Sequence, residues 1–480
     1  MNYRMIGFAI GRILLVEAAL LLLPMAVALG YGESPVPYLL PAALLVLCGG
    51  LLSFKKPRQA SLFARDGLAV VALAWIAVSL FGALPFYISG SIESFVDCFF
   101  ETVSGFTTTG ATILTEVESL NRGILFWRSF THWVGGMGVL VFVMAILPMG
   151  GDGHGMHMLR AEMPGPAVGK LVSRMSDTAK ILYGIYCALT LLEVFCLRIA
   201  GMPWYDSLVH SFATAGTGGF STRNLSIAAY ESPAIEVIIT LFMLIFSINF
   251  ALYFLLLCGK VHQALRSDEL RFFLAVVAFS TLLISINIWP MYPADGSAVR
   301  HAAFQVGSII STTGFASTDF NLWPEFSRIL LVLLMFIGAS PGSTGGAIKC
   351  SRVLLLLKCI RREIRQVVHP RSVNVVKLDG RVVDEDSLRS VQLFFAAYLF
   401  IALGATLLVS VDNFSFGTTF TAVVSCIGNV GPGLELVGPM GNYSAFSGFS
   451  KLVLSLCMLI GRLEVLPVLV LFSRNAWKRS

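Results

Sequence analysis

Apolar stretches long enough to cross a bilayer lie near residues 6–30, 38–54, 67–89, 123–148, 179–200, 233–258, 270–291, 326–357, 391–411 and 449–472. A spanning helix needs about 20 mostly apolar residues, so the pattern predicts ten spans. Between the third and fourth span lies Ser94–Leu120, too short and too polar to cross. Similar segments follow the fifth, seventh and ninth spans. Each opens with an aromatic-rich piece that reads as a short helix: FVDCFFETVSGF, WYDSLVHSFATA, AVRHAAFQVGSII and FGTTFTAVVSCI. Each then breaks at glycine, namely Gly110, Gly219, Gly314 and Gly431, spaced by 109, 95 and 117 residues. A fourfold recurrence at about a hundred residues is an architecture: span, re-entrant helix, extended loop, span.

Composition and charge agree with that reading. Hydrophobic residues make up 56% of the chain and charged residues 13%, against roughly 25% charged in soluble proteins. Arg4 and Arg12 precede an apolar run with no small-residue cleavage pattern before Tyr31, so the first span is expected to be retained. Lys55–Arg58, Arg160–Lys180, Lys260–Arg271, Lys358–Arg389, the Arg474–Arg479 tail and the head carry the basic residues. Ten alternating spans put all six on one side, which predicts cytoplasmic termini. The opposite loops carry Glu33, Glu93, Asp97, Asp295 and Asp319. Nine scattered cysteines without a CxxC argue against a disulfide framework or zinc site. A net charge of +6 is too small to point to nucleic acid.

The four glycine breaks read SGFTTTGAT, ATAGTGGFST, SIISTTGFAST and SCIGNVGPG. Irregular backbone at membrane depth is tolerated only when buried in protein or lining a watery path. Taken singly, TTTG, GTGG and STTG would be helix caps or small-residue packing motifs. Four copies, each between a short helix and a span, favour a ring of carbonyl and hydroxyl oxygens around a dehydrated cation. The expected filter is Thr107, Thr108, Thr109 and Gly110; Gly216, Thr217, Gly218 and Gly219; Ser311, Thr312, Thr313 and Gly314; and Gly428, Asn429, Val430 and Gly431.

Together with FWRSFTHWVGGMGVLVF (126–142), GASPGSTGGAIK (338–349), NVGPGL and IGRLEVLPVL (460–469), these motifs resemble the TrkH/KtrB/HKT superfamily of potassium transporters, and within it the TrkH subunits. The resemblance covers essentially the whole chain. It implies an all-α polytopic protein of the bacterial inner membrane, with ten transmembrane helices: two N-terminal ones plus four covalently linked repeats around one pseudo-fourfold pore. The corresponding units are 1–60 (helix pair), 61–178, 179–268, 269–388 and 389–480 (pore repeats one to four). It further implies potassium as the bound and transported ion, no organic cofactor in this chain, a homodimer, and a cytoplasmic TrkA-type ring of nucleotide-binding regulatory subunits. Glycine at all four filter positions goes with potassium preference in this family. The fourth unit departs most, since it has no threonine and offers mainly backbone carbonyls.

Two further features bear on gating. The run 326–357 is too long for one straight crossing at 1.5 Å per residue. Gly338, Pro341, Gly342, Gly345 and Gly346 interrupt it, with Ser343, Thr344 and Lys349 in the same stretch. A kink is one reading; the resemblance favours a movable intramembrane loop below the filter. Arg462 stands inside the last expected span, where a charge is a functional candidate by default. It either snorkels to the interface or faces the pore as a barrier to cations, and the resemblance favours the latter. Glu464, two residues on, points to another face of a helix and is a poor partner for it. Asn249 lines a cavity or bonds between helices, with nothing to separate the two. His154 and His157, in a glycine-rich linker without acidic or cysteine company, read as solvated rather than as a metal site. The basic Lys358–Arg389 linker suits anionic lipid or a docking partner.

An alternating-access carrier of inverted repeats is disfavoured, because every repeat begins and ends on the same side. No catalytic constellation is present, so an enzyme is not expected. The second expectation is a sodium-permeable or proton- or sodium-coupled transporter of the same fold.

Overall fold

The computed structural model describes residues 2–55, 64–138, 175–293, 296–372, 374–465 and 468. They are mostly helical. The N-terminal helices are α1 (Tyr3–Leu20), α2 (Leu22–Gly30) and α3 (Val36–Ser53), with Asn2 capping α1 by accepting from the Met5 amide. Next come α4 (Ala64–Gly82), α5 (Leu84–Ile88), α6 (Phe95–Phe106) and α7 (Arg122–Gly136). They are followed by α8 (Met175–Ile199), α9 (Trp204–Ala215), α10 (Pro233–Phe246) and α11 (Phe250–Leu257). A third set comprises α12 (Asp268–Ile288), α13 (Ser297–Ile310), α14 (Glu325–Ile337) and α15 (Cys350–Val368). After a hairpin of β1 (Lys377–Leu378) and β2 (Arg381–Val382) come α16 (Glu385–Val409), α17 (Phe416–Gly428) and α18 (Gly448–Arg462).

Among the described residues six helical segments are long and apolar enough to cross a membrane: Tyr3–Gly30, Val36–Ser53, Asp66–Ile88, Ala179–Ile199, Asp268–Met291 and Glu385–Asp412. They match six of the ten expected spans to within a few residues at most ends. In Asp66–Ile88 61% of the most apolar window is buried, against 22% in Glu385–Asp412. The first is therefore an inner helix, and the second leaves most of its apolar surface for lipid.

The other four expected spans are not single straight helices. Residues 233–258 form α10 and α11, bent by 91° at Ser247–Asn249. Residues 326–357 form α14 and part of α15, separated by the non-helical stretch 338–349. Helix α7 ends at Gly136, and residues 139–148 lie outside the described residues, as do His154 and His157. Helix α18 ends at Arg462, and Glu464 and Val465 then take positive φ. The sequence anticipates the interruption at 338–349 through its glycines and Pro341, but not the bend at Ser247–Asn249, because the residues flanking it are themselves apolar.

The four short helices expected before the glycine breaks are α6, α9, α13 and α17, each within a residue of its expected bounds. Their packing runs in a cycle. Helix α7 packs on α9, α10 on α13, α14 on α17, and α18 returns to α6. Each unit thus leans its second helix on the short helix of the next, and the fourth leans on the first.

Candidate functional site

Each short helix ends in the same turn. The amides of Thr109, Gly218, Thr313 and Val430 reach back five residues to the carbonyls of Ser104, Ala213, Ser308 and Ser425, at 2.8–2.9 Å. One residue earlier, Thr108, Thr217, Thr312 and Asn429 donate to the carbonyls three residues back, at 2.9–3.2 Å. This closure requires a left-handed residue. The four positions have φ of 56°, 54°, 62° and 53°. A β-branched threonine is rarely found there, so three such threonines mark strain held by the surroundings. The glycines that follow, Gly110, Gly219, Gly314 and Gly431, have φ of 79°, 79°, 81° and 96°. Dissimilar sequences here adopt one backbone.

The four segments meet. A Cβ added at Gly110 would fall within 3.0 Å of the Gly218 carbonyl oxygen. The same holds for Gly219 against Thr313, Gly314 against Val430, and Gly431 against Thr109. In every case the carbonyl belongs to the residue preceding the next unit's glycine, so the contacts close a ring in chain order. Eight of the sixteen expected filter positions make these contacts: Thr109, Gly110, Gly218, Gly219, Thr313, Gly314, Val430 and Gly431. The outgoing loops are stitched in the same order: Val117 N to Asn224 Oδ1 (2.8 Å), Ala228 N to Ala316 O (3.1 Å), Asn321 Nδ2 to Glu435 O (3.1 Å) and Tyr443 N to Thr112 O (2.8 Å).

Beneath the ring the 338–349 stretch is wedged between units. Its backbone is caught in the α10–α11 break: Ser340 N donates to Ser247 O (3.0 Å), and Phe250 N to Gly342 O (3.0 Å). Asn249 caps α11 by accepting from Ala251 N (2.9 Å) and abuts Gly342, a local bond that matches neither of the two readings left open for it. Gly346 N donates to Thr312 Oγ1 (2.8 Å). A Cβ at Gly345 would meet Ser311 O, and one at Gly346 would meet Gly428 O, both within 3.0 Å. Gly338 has φ of 67° and Lys349 of 75°, which turn the chain out of α14 and into α15. Pro341 and Thr344 are buried, Ser343 partly so.

Arg462 reaches inward from the end of α18. It donates to Gly135 O (2.6 Å), Gly136 O (2.7 Å), Thr344 O (2.7 Å) and Thr108 Oγ1 (3.2 Å). It neither snorkels nor pairs with Glu464. Glu464 instead pairs with Lys349 (3.3 Å) and Arg352, clamping the stretch to the fourth unit. A cavity of about 30 Å³, lined among others by Gly136, Gly346, Lys349, Gly461 and Arg462, leaves room for a water molecule or two.

Three residues that hold this arrangement went unread in the sequence. Glu101 accepts from Thr112 Oγ1 (2.9 Å), Ile113 N (3.0 Å) and Arg128 Nε (2.7 Å), and Arg128 also donates to Ser221 O (3.1 Å). This buried pair pins the outgoing strands of the first two units together. The available signal was two opposite charges inside otherwise apolar segments. His132 stands behind Gly216 and Gly218 with Nδ1 2.8 Å from Gly105 O; no sequence signal marked it.

A helical protein with several membrane-spanning helices and a buried, cyclically closed ring of glycine turns fits the class of cation transporters. The sequence model of the TrkH family, described as cation transport protein, matches residues 40–479. The chain is 38% identical over 488 residues to the Trk system potassium uptake protein TrkH of Salmonella typhimurium, with 100% of both chains covered. It is 34% identical to the Trk system potassium uptake protein TrkG of Escherichia coli K12, with 99% of both covered. The crystal structure of the potassium transporter TrkH from Vibrio parahaemolyticus superimposes with a TM-score of 0.89 at 33% identity, covering 100% of both chains. The chain belongs to the TrkH family: it is an ion transporter and not an enzyme.

Proposed function

We propose that the protein takes up potassium through the glycine-turned ring, which acts as its selectivity filter. The observation that carries this is the cyclic contact of Gly110, Gly219, Gly314 and Gly431, each against the carbonyl preceding the next. Carbonyl oxygens held this closely around a centre replace the hydration shell of a monovalent cation. Potassium, rather than another cation, is supported by the names of the curated relatives.

In this reading ten spans cross the inner membrane with both termini cytoplasmic. The unit boundaries are 1–60, 61–178, 179–268, 269–388 and 389–480. The stretch 338–349 is the gate, and Arg462 places a positive charge on the path below the filter. The loop's bonds to Thr312 and to the α10–α11 break support that role. A second copy of the chain, a TrkA-type nucleotide-binding ring and membrane lipid are the expected partners, the basic Lys358–Arg389 linker being the site for the ring.

The test is potassium and sodium uptake in potassium-transport-deficient bacterial cells, wild type against Gly110→Ser. Wild-type preference for potassium that the variant loses supports the reading. Selective uptake that survives Gly110→Ser places the selective element elsewhere. Absent uptake that co-expression of a regulatory ring does not restore overturns the proposal.

A further inference from the structure

The side chains two residues before each glycine are Thr108, Thr217, Thr312 and Asn429, and in the three threonines the side-chain oxygen is hydrogen-bonded. Thr108 Oγ1 accepts from Arg462 (3.2 Å), Thr312 Oγ1 from Gly346 N (2.8 Å), and Thr217 Oγ1 donates to Gly216 O (2.6 Å). The fourth member is Asn429. Its Nδ2 donates both to Thr109 Oγ1 (3.0 Å), across the unit boundary, and to Met458 O in α18 (2.9 Å). A backbone carbonyl only accepts, so this contact fixes which end of the amide is Nδ2. Asn429 Oδ1 is thereby aimed, fully buried, and accepts no hydrogen bond among the described residues.

That oxygen lies between α18 and the gate. Cβ atoms built on Gly461 and Gly346 would lie 2.8 and 3.1 Å from it, and both glycines line the cavity below the filter. A buried acceptor without a donor is costly, and a permeating cation is a partner that would satisfy it. We infer that Asn429 Oδ1 is an inner ligand of the transported cation, engaged when the 338–349 stretch withdraws. The inference rests on the filter reading above. It gives the fourth unit a side-chain oxygen where mainly backbone carbonyls were expected, and it makes that oxygen available only with the gate open.

The experiment is the KM for potassium uptake, with potassium-to-rubidium discrimination, in Asn429→Asp, Asn429→Thr and Asn429→Leu. Membrane abundance and melting in detergent are measured alongside. Asp and Thr keep an oxygen and lose the amide donor; Leu loses both. The expected result is a KM near wild type for Asp and Thr, and one raised about tenfold for Leu, the scale of one lost contact to a charged group. Equal impairment of all three makes Asn429 only the brace for Thr109 and overturns the inference. A leucine variant with unchanged KM and discrimination also overturns it. Should the leucine variant not reach the membrane, Asn429→Ala against Asn429→Ser makes the same comparison. Loss of potassium preference in Gly110→Ser with no effect at Asn429 sinks this inference alone; no effect of Gly110→Ser sinks the filter reading itself.

Discussion

At the scale of single residues, two neighbouring glycines have different reasons for lacking a side chain. A Cβ at Gly218 would run into the imidazole of His132, whereas one at Gly216 would meet the His132 backbone carbonyl. Gly218→Ala is therefore expected to cost about 1–3 kcal/mol by overpacking. Adding His132→Ala should return part of that loss, because the obstructing ring is gone. Gly216→Ala should show no such rescue. A double-mutant cycle on melting temperature in detergent separates the two cases. Equal rescue of both would mean that the histidine ring does not set the limit at Gly218.

At the scale of elements, the ring is held by bonds that cross unit boundaries. Arg128→Met strands the Glu101 carboxylate between Thr112 and Ile113, and breaking a buried pair costs about 3–5 kcal/mol. The expected outcome is a large drop in melting temperature, which Glu101→Gln in the same chain partly offsets. Outside the membrane, the Ser415 hydroxyl beside Glu435 holds its carboxyl below the usual carboxylate range, with Thr418 adding to the effect. A depressed carboxylate stabilises the fold above its ordinary titration range and ceases to do so as pH falls through the depressed value. The stability difference between wild type and Glu435→Gln should accordingly be present at neutral pH and vanish under strong acid. Melting curves across pH read this directly.

The elements themselves were largely legible in the sequence. Short helices and glycine breaks followed from composition and spacing, and the six straight spans from apolar length. The interruption at 338–349 was legible too, from its glycines and Pro341; what stayed hidden was the bend at Ser247–Asn249 and the end of α18 at Arg462. Ser247–Asn249 is flanked by FMLIF and FALYF, so hydropathy runs through it undisturbed. The bend exists because the 338–349 stretch takes the freed backbone groups as partners. Arg462 was flagged as an intramembrane charge, but its four oxygen partners come from the first and third units while it belongs to the fourth, a convergence that no local pattern encodes. Glu464 was weighed only against Arg462 and proved to belong to Lys349 and Arg352.

At the scale of the whole molecule, Glu464 latches one unit to the next. Glu464→Gln leaves Lys349 and Arg352 without their countercharge and should loosen the 338–349 stretch. The expected outcome is a higher basal potassium flux into proteoliposomes in the absence of any regulatory subunit. Unchanged flux in a folded variant would mean that the latch is structural and the stretch is held elsewhere.

The ring closes in chain order, Gly110 to Gly219 to Gly314 to Gly431 and back, within a single polypeptide. In an assembly of four identical chains, one codon change alters every position around the axis at once. Here each ring position has its own codon, so, with the ring acting as the proposed filter, a mutation is administered as a quarter dose. Ion preference can therefore be adjusted in small steps, and a place such as Asn429 can diverge while its three counterparts stay as they are.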